Sequence, residues 1–290
     1  MQQYIENVRL NANQIKWIAL VCMTLDHALP ILEKLSFPSP LILFVNIMGR
    51  AAAPLFLFLL TESVRYTKSK PLFVLRLYLA GLLTGIFTLS MNCIFGSIML
   101  YDTRNIMFTF FYTALYIWLL DSIANAVTAK KISNTIKPIF ALLISIFIQR
   151  PFYWLQTSFP YTDLHITSFE GQHLAYDLIH STFPSILLAE YSLLFIIMGI
   201  AFYFIRKRNR LAIVFLTFCA LSYIGSQYLL SSPADLWPCN EFFQDGQYYM
   251  ISALPFILAY NGQRGRPHKA FFYIYYPTHR YALSLLGCLL

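Results

Sequence analysis

Charged residues are scarce in this sequence. Only 12% of the 290 residues are charged, whereas a soluble domain carries about a quarter. Hydrophobic residues make up 58% of the chain, and apolar runs of near 20 residues recur, the length needed to cross a hydrocarbon core of about 30 Å. These proportions exclude an ordinary soluble domain and predict an integral membrane protein.

Neither metal-binding cysteine pairs nor the pattern of a secretory signal is evident in the sequence. The five cysteines show no CxxC or other metal-ligand spacing. The first apolar run begins at Ile15, is not followed by a small-residue cleavage site, and contains Asp26 and His27. We therefore predict that this run is the first helix of the mature protein, and no metal site is predicted.

The long apolar runs predict an all-α fold. We expect a polytopic transmembrane helical bundle of about nine helices, forming a single membrane-embedded domain over residues 1–290. The predicted helices run near 15–35, 40–62, 72–95, 104–128, 138–156, 184–204, 211–231, 247–261 and 269–289.

The distribution of basic residues predicts the orientation. Counted by alternate connections, sixteen lysines and arginines fall on one side of the predicted membrane and three on the other. Cytoplasmic loops carry such an excess, so we expect a cytoplasmic N-terminus in a bacterial inner membrane. Because the net charge of +8 is spread over short loops, it indicates membrane topology, and no nucleic-acid partner is predicted.

Several charged residues lie inside the apolar segments: Asp26, His27, Arg50, His279 and Arg280. An ionised group in hydrocarbon costs about 3 kcal/mol, so such residues usually face a protein interior and pair. With a helical rise of about 1.5 Å per residue, His27, Arg50 and His279 all fall near the midplane. We predict that Asp26, His27, Arg50 and His279 form a catalytic site.

Structural explanations stand beside this prediction. An intramembrane pair of Asp26 and Arg50 can also serve to pack two helices together. His279 and Arg280 follow Pro277, and a proline frees a backbone carbonyl that these side chains can satisfy. For Arg280 alone, a structural role is the better explanation.

A second group of polar residues lies at the predicted helix ends. Glu62 and Asn105 are expected to serve as substrate-contacting or structural polar residues. Basic side chains and exposed backbone amides suit a phosphate-bearing ligand, although the positive-inside rule explains the basic residues equally well. The predicted cofactor-binding residues are Arg65, Asn261, Arg264, Arg266 and Lys269.

The longest predicted connection, 157–183, contains His165, His173, Asp177 and His180. The last three share one face if the segment is helical. That spacing can bind a metal, but a solvated or substrate-facing polar helix explains it as well.

Ordered motifs along the chain resemble the TraX family of membrane proteins. The first reads IKWIALVCMTLDHALPIL from Ile15, and the second reads IMGRAAAPLFLFLLTESVRYT from Ile47. NIMFTF follows from Asn105, LPFILAYNGQRG from Leu254 and KAFFYIYYPTHRYAL from Lys269. Members from conjugative plasmids acetylate the N-terminus of pilin, and the family is similar to the broader transmembrane acyltransferases.

The resemblance implies that acetyl-CoA from the cytosol is the donor, with transfer inside the membrane to an acceptor protein or glycan. Acyl transfer needs a base for the acceptor and positive charge for the developing oxyanion. His27 is the first candidate base and His279 the second, while Arg50 can hold a carboxylate, a pyrophosphate or the oxyanion. Transfer can be direct or pass through an acetyl-histidine.

Two other classes of function remain open from the residues alone. Mid-membrane histidine, aspartate and arginine also occur in proton-coupled transporters and flippases, although the chain lacks the internal repeat that carriers often have. A non-catalytic assembly factor for a surface structure is the second alternative, and it predicts tolerance of substitutions at His27 and Arg50.

Overall fold

The computed structural model describes residues 9–95, 105–157, 178–180, 182, 184–228, 240–243, 246–266 and 269–290. The described residues contain no strand, which confirms the all-α fold. The α-helices are α1 (Ala12–Lys34), α2 (Ser39–Gly49), α3 (Ala52–Tyr66), α4 (Lys70–Phe95), α5 (Ile106–Thr128), α6 (Ile136–Phe147), α7 (Gln149–Thr157), α8 (Ser192–Phe204), α9 (Arg208–Tyr228), α10 (Leu254–Ala259) and α11 (Lys269–Leu289). Short 3₁₀ helices lie at Ile132–Thr135, Ile186–Leu188, Asn240–Phe243 and Gln247–Ala253.

Six helical segments in the described part of the chain are long and apolar enough to cross a membrane. They are Ala12–Lys34, Ser39–Tyr66, Lys70–Phe95, Ile106–Thr128, Ile132–Trp154 and Arg208–Tyr228. All nine predicted helices overlap a helical element, but α8 and the segment Gln247–Ala259 are shorter than a spanning helix. Helix α11 is long enough to span but is not among the six apolar segments. The protein is therefore a multi-pass helical membrane protein.

The second predicted helix is interrupted in its middle. Helix α2 ends at Gly49 and α3 begins at Ala52, with Ala51 N–H donating to the Met48 carbonyl instead of closing an α-helical turn. Pro54 explains the break, because a proline lacks the N–H that would bond the carbonyl four residues earlier and its ring clashes with that carbonyl. The interruption leaves Arg50 at the junction of the two helices.

Three other predicted helices also differ from the structure. The fifth is divided at Ile148 into α6 and α7, because Pro151 disfavours a helical bond to Phe147. The sixth begins eight residues late, at Ser192, since 184–191 is a 3₁₀ turn and irregular chain. The eighth is a 3₁₀ helix continued by the short α10.

The chain divides into two compact units. The first comprises Met1–Glu62, Phe204–Asp235 and Phe242–Leu290, and the second comprises Ser63–Tyr203 and Leu236–Glu241. The first unit therefore contains α1, α2, most of α3 and α9 to α11.

In the first unit, α1 and α11 pack in parallel along their whole lengths. The ring of Trp17 contacts that of Phe271 at 5.1 Å near their starts, and Lys34 Nζ donates to the Gly287 carbonyl at 2.8 Å near their ends. Parallel packing places the first residues of both helices on the same side of the membrane.

In the second unit, α4 and α5 pack closely against each other. A Cβ at Gly81 would lie 2.6 Å from the Phe108 ring, so only glycine allows this approach. The Asn105 side chain accepts from Met107 N–H and donates to the Gly81 carbonyl at 3.2 Å. Helix α5 therefore begins beside the middle of α4.

Irregular backbone between residues 184 and 190 is held by side chains of neighbouring helices. Tyr112 donates to the Pro184 carbonyl, and the Gln149 amide oxygen accepts from Ile186 N–H at 2.7 Å. Backbone polar groups at membrane depth must be satisfied internally, and these bonds do so for a segment that the apolar pattern predicted to be helical.

Candidate functional site

The ion pair between Asp26 and Arg50 joins α1 to the α2–α3 junction. Arg50 Nε lies 3.8 Å from Asp26 Oδ1, and the two side chains are 26% and 22% exposed. Gly49 makes this approach possible, because a Cβ there would lie 2.8 Å from the Asp26 Cβ and 2.9 Å from its Cα. The predicted pairing of these two residues is present in the structure.

Polar atoms without a hydrogen-bond partner lie at the break between α2 and α3. Arg50 Nε and Asn46 Oδ1 are both buried, and neither has a hydrogen-bond partner in the described part of the chain. Ser252 Oγ donates to the Ile47 carbonyl at 2.8 Å and so satisfies an acceptor at the end of α2. The site therefore keeps one unused donor and one unused acceptor.

Two prolines leave further acceptors beside the ion pair. Pro30 lies inside α1 and Pro54 inside α3, each four residues after a charged member of the pair. Neither can supply the N–H that would bond the backbone carbonyl of Asp26 or Arg50. Sequence analysis missed these carbonyls and Asn46, although the four-residue spacing of proline after a charged residue was a visible signal.

His27 of α1 and His279 of α11 meet at the same level of the bundle. Their ring centroids are 5.0 Å apart and the ring planes are inclined by 59°. His27 directly follows Asp26 on α1, which links the pair of histidines to the ion pair. Within the first unit, the structure thus brings together all four predicted catalytic residues: Asp26, His27, Arg50 and His279.

The orientation of His279 is set by its own helix. His279 Nδ1 lies 2.9 Å from the Tyr275 carbonyl oxygen. A carbonyl can only accept, so Nδ1 carries the proton and Nε2 is the accepting nitrogen of the neutral ring. The carbonyl freed by Pro277 is that of Tyr273, so His279 does not serve the structural role that sequence analysis left open.

The basic loop 261–266 is anchored beside the start of α1. Ala12 N–H donates to the Gln263 carbonyl at 2.8 Å, and Asn261 N–H donates to the Leu10 carbonyl at 2.9 Å. Gly265 has φ +70°, and a Cβ there would lie 2.4 Å from Asn11 Oδ1, so glycine is required by both backbone and space.

The predicted cofactor-binding residues of this loop differ in their surroundings. Asn261 Oδ1 accepts from Gln263 N–H at 2.8 Å, so this side chain shapes the turn. Arg264 and Arg266 are exposed and can reach a ligand. Lys269 is the first residue of α11, and its side chain lies outside the described residues.

Arg65 belongs to the second unit and has a local partner there. Its guanidinium donates to the Tyr203 carbonyl and lies 5.2 Å from the centroid of the Tyr203 ring. Lys70 also faces that ring, at 5.4 Å, and forms an ion pair with Asp121. These contacts support a structural role for Arg65, and its predicted part in cofactor binding stays a prediction.

The remaining predicted polar residues are divided between the two units. Glu62, which belongs to the first unit, is buried with 8% exposure. Asn105 caps α5 in the second unit. This contact is a structural role, one of the two roles expected for Asn105. His165, His173 and Asp177 lie outside the described residues, while His180 is buried. Among the described residues, no group of three potential metal ligands is found.

The helices and the polar cluster define a class of protein: a polytopic helical membrane protein with ionisable side chains gathered inside its bundle. A family model described as "TraX protein" matches residues 11–169, more than half of the chain. The chain therefore belongs to the TraX family. Searches of curated proteins and of solved structures find no match.

The matched region includes Asp26, His27, Arg50, Glu62, Arg65 and Asn105 but ends before the basic loop and α11. The predicted resemblance of residues 254–284 to the family lies beyond this region and stays a prediction.

Proposed function

We propose that this protein is a membrane acetyltransferase that moves the acetyl group of acetyl-CoA to an amine or hydroxyl of an acceptor protein or glycan. The observation that carries the proposal is the convergence of two histidines and an Asp–Arg pair within one helical unit. Membership of the TraX family supports the same chemistry, and in relatives from conjugative plasmids the expected acceptor is the pilin N-terminus.

The cluster contains the groups that acyl transfer needs. A neutral imidazole has an accepting nitrogen that can take a proton from the acceptor. Arg50 has an unused Nε donor, and a preorganised cation stabilises the oxyanion that forms when the thioester carbonyl is attacked. Asp26 holds Arg50 in place at 3.8 Å.

The basic loop is the proposed binding site for the donor. CoA carries a pyrophosphate and a further phosphate, and arginines bind such groups with charge-assisted hydrogen bonds. Arg264 and Arg266 are exposed at one end of α1 and α11, the end predicted to face the cytosol. Only the thioester arm of the donor has to enter the bundle to reach His27 and His279.

The test is acetyl transfer by the purified protein in detergent or lipid. With radiolabelled acetyl-CoA and candidate acceptors, free CoA and labelled acceptor should appear together. His27→Ala should stay folded and membrane-inserted but lose acetyl transfer, because the His27 ring packs against His279 inside the reacting cluster. Full activity in this variant would remove His27 from the mechanism.

The same experiment separates the enzyme from the alternatives. A transporter or flippase would release no CoA and would move a substrate across liposomes, and an assembly factor would do neither. Mass spectrometry of surface proteins and glycans from cells with and without the protein should reveal a missing acetyl group and identify the acceptor.

The role of the basic loop is tested by charge reversal. Arg264→Glu combined with Arg266→Glu should raise the KM for acetyl-CoA while leaving kcat nearly unchanged, because these side chains bind the part of the donor that does not react. Lys130→Glu combined with Lys131→Glu is the control, because both side chains are exposed in another connection and the total change in charge is the same. An unchanged KM would mean that the loop only sets topology.

A further inference from the structure

Two hydrogen bonds, one to the side chain and one to the backbone of Tyr275, link α1 to the histidine of α11. Thr24 Oγ1 donates to the Leu20 carbonyl at 2.8 Å and lies 2.6 Å from the Tyr275 hydroxyl. Because the hydroxyl proton of Thr24 is already donated to Leu20, the Tyr275 hydroxyl is the donor to Thr24. Thr24 thereby fixes the position of the Tyr275 ring.

Tyr275 in turn holds His279 in two ways. Its ring stacks on the imidazole, with centroids 5.0 Å apart and planes within 8° of parallel. Its backbone carbonyl accepts the Nδ1 proton at 2.9 Å. The stacking sets the plane of the imidazole, and the hydrogen bond sets which nitrogen keeps the proton.

The other nitrogen of His279 is left unused. Only 6% of His279 is exposed, and its Nε2 has no hydrogen-bond partner among the described residues. Buried polar atoms are nearly always partnered, so an exception calls for an explanation. A basic nitrogen kept free and correctly oriented is what a proton acceptor requires.

His27 lacks a comparable arrangement. Its ring contacts that of His279, but no hydrogen bond from the described residues holds either of its nitrogens. Among the described residues, no hydrogen bond selects the tautomer of His27.

We propose that His279 Nε2, rather than His27, is the base of the transfer reaction, and that Tyr275 and Thr24 are its positioning residues. This inference rests on the acetyl transfer proposed above. His279 Nε2 takes the proton of the neutral amine or hydroxyl as its nitrogen or oxygen bonds to the thioester carbonyl carbon. The C–S bond then breaks, and the proton passes to the departing sulfur to give the CoA thiol.

Kinetics of two nearly isosteric variants test the positioning role. Tyr275→Phe keeps the stacked ring and Thr24→Val keeps the side-chain shape, but each removes the bond between the helices. Each should lower kcat roughly fivefold to tenfold, as expected for one lost hydrogen bond, with an unchanged KM for acetyl-CoA. The double variant should be no worse than either single variant, because both remove the same interaction.

Thr217→Val is the matched control, since Thr217 also bonds a carbonyl four residues earlier on its helix but lies on the exposed side of α9. Its kcat should equal that of the unaltered protein. If Thr24→Val behaves like Thr217→Val, or if kcat and KM shift together, Tyr275 and Thr24 do not position a base.

Spectroscopy tests the arrangement independently of any enzymatic activity. In the full chain with ¹⁵N-labelled histidine, His279→Asn identifies the signal of His279, and asparagine preserves a donor near the Nδ1 position. The unaltered protein should show His279 with a protonated Nδ1 and a bare Nε2, and Tyr275→Phe should reduce this population. A proton on Nε2 would overturn the inference, whereas absent acetyl transfer with the expected tautomer would overturn the proposed function alone.

Discussion

At the scale of single residues, the ion pair of Asp26 and Arg50 depends on a residue that carries no charge. Gly49 brings the backbone of α2 against Asp26, which lets Arg50 Nε approach to 3.8 Å. A half-buried charge is costly when its partner is removed, because the remaining charge has neither water nor a counter-ion. The two residues should therefore be energetically coupled.

This coupling can be measured with a double-mutant cycle. Asp26→Asn and Arg50→Gln should each lower the free energy of unfolding by about 1–3 kcal/mol, while the double variant should be less destabilised than the sum of both. Reversible denaturation of the purified protein in detergent, followed by circular dichroism, gives the three differences. Strict additivity would show that the pair contributes nothing to stability.

At the scale of helices, the break between α2 and α3 decides where Arg50 points. Both halves are apolar and form one candidate span of 28 residues, so the interruption does not come from a polar segment. It comes from Pro54, which cannot bond to the Arg50 carbonyl. A continuous helix would turn Arg50 through a different angle relative to α1.

Replacing Pro54 tests this dependence. Pro54→Ala restores the missing N–H and should leave the protein folded, but lower the proposed acetyl transfer at least tenfold by moving Arg50. Pro40→Ala is the control, because Pro40 lies in the first turn of α2, where a missing N–H costs little. Equal activity of both variants would show that the break has no functional role.

At the scale of the whole molecule, the parallel packing of α1 and α11 has a consequence for topology. Their first residues lie on one side of the membrane, where backbone hydrogen bonds join residues 10–12 to residues 259–263. Counting basic residues had placed these same two segments on one side. The predicted cytoplasmic orientation follows from the excess of sixteen basic residues over three.

Reporter fusions test the orientation. Green fluorescent protein fused after Arg210 should fluoresce and alkaline phosphatase fused there should be inactive, because this basic connection is expected in the cytoplasm. Fusions after Arg104 should give the reverse pattern. Opposite results at both positions would place the N-terminus outside. Identical results at both positions would mean that the chain crosses the membrane an even number of times between Arg104 and Arg210.

The positions of individual helices were only partly predictable. Apolar runs identified α1, α4, α5 and α9 with ends within a few residues, because hydrophobic length selects a spanning helix. The predicted bounds of the less apolar α11 also match the structure. The same rule failed for 184–191, where Gln149, Tyr112 and Thr109 hold irregular backbone. A hydropathy pattern cannot reveal that distant side chains will satisfy carbonyls outside a helix.

What the sequence determined by itself is the class of the protein, because the hydrocarbon core imposes length, apolarity and charge asymmetry on any chain that crosses it. The tertiary structure decided which polar groups meet. It paired Asp26 with Arg50 across Gly49 and His27 with His279, and it selected the free nitrogen of His279 through Tyr275. These contacts depend on helix rotation, on breaks at prolines and on close packing at glycine, which apolar periodicity alone does not specify.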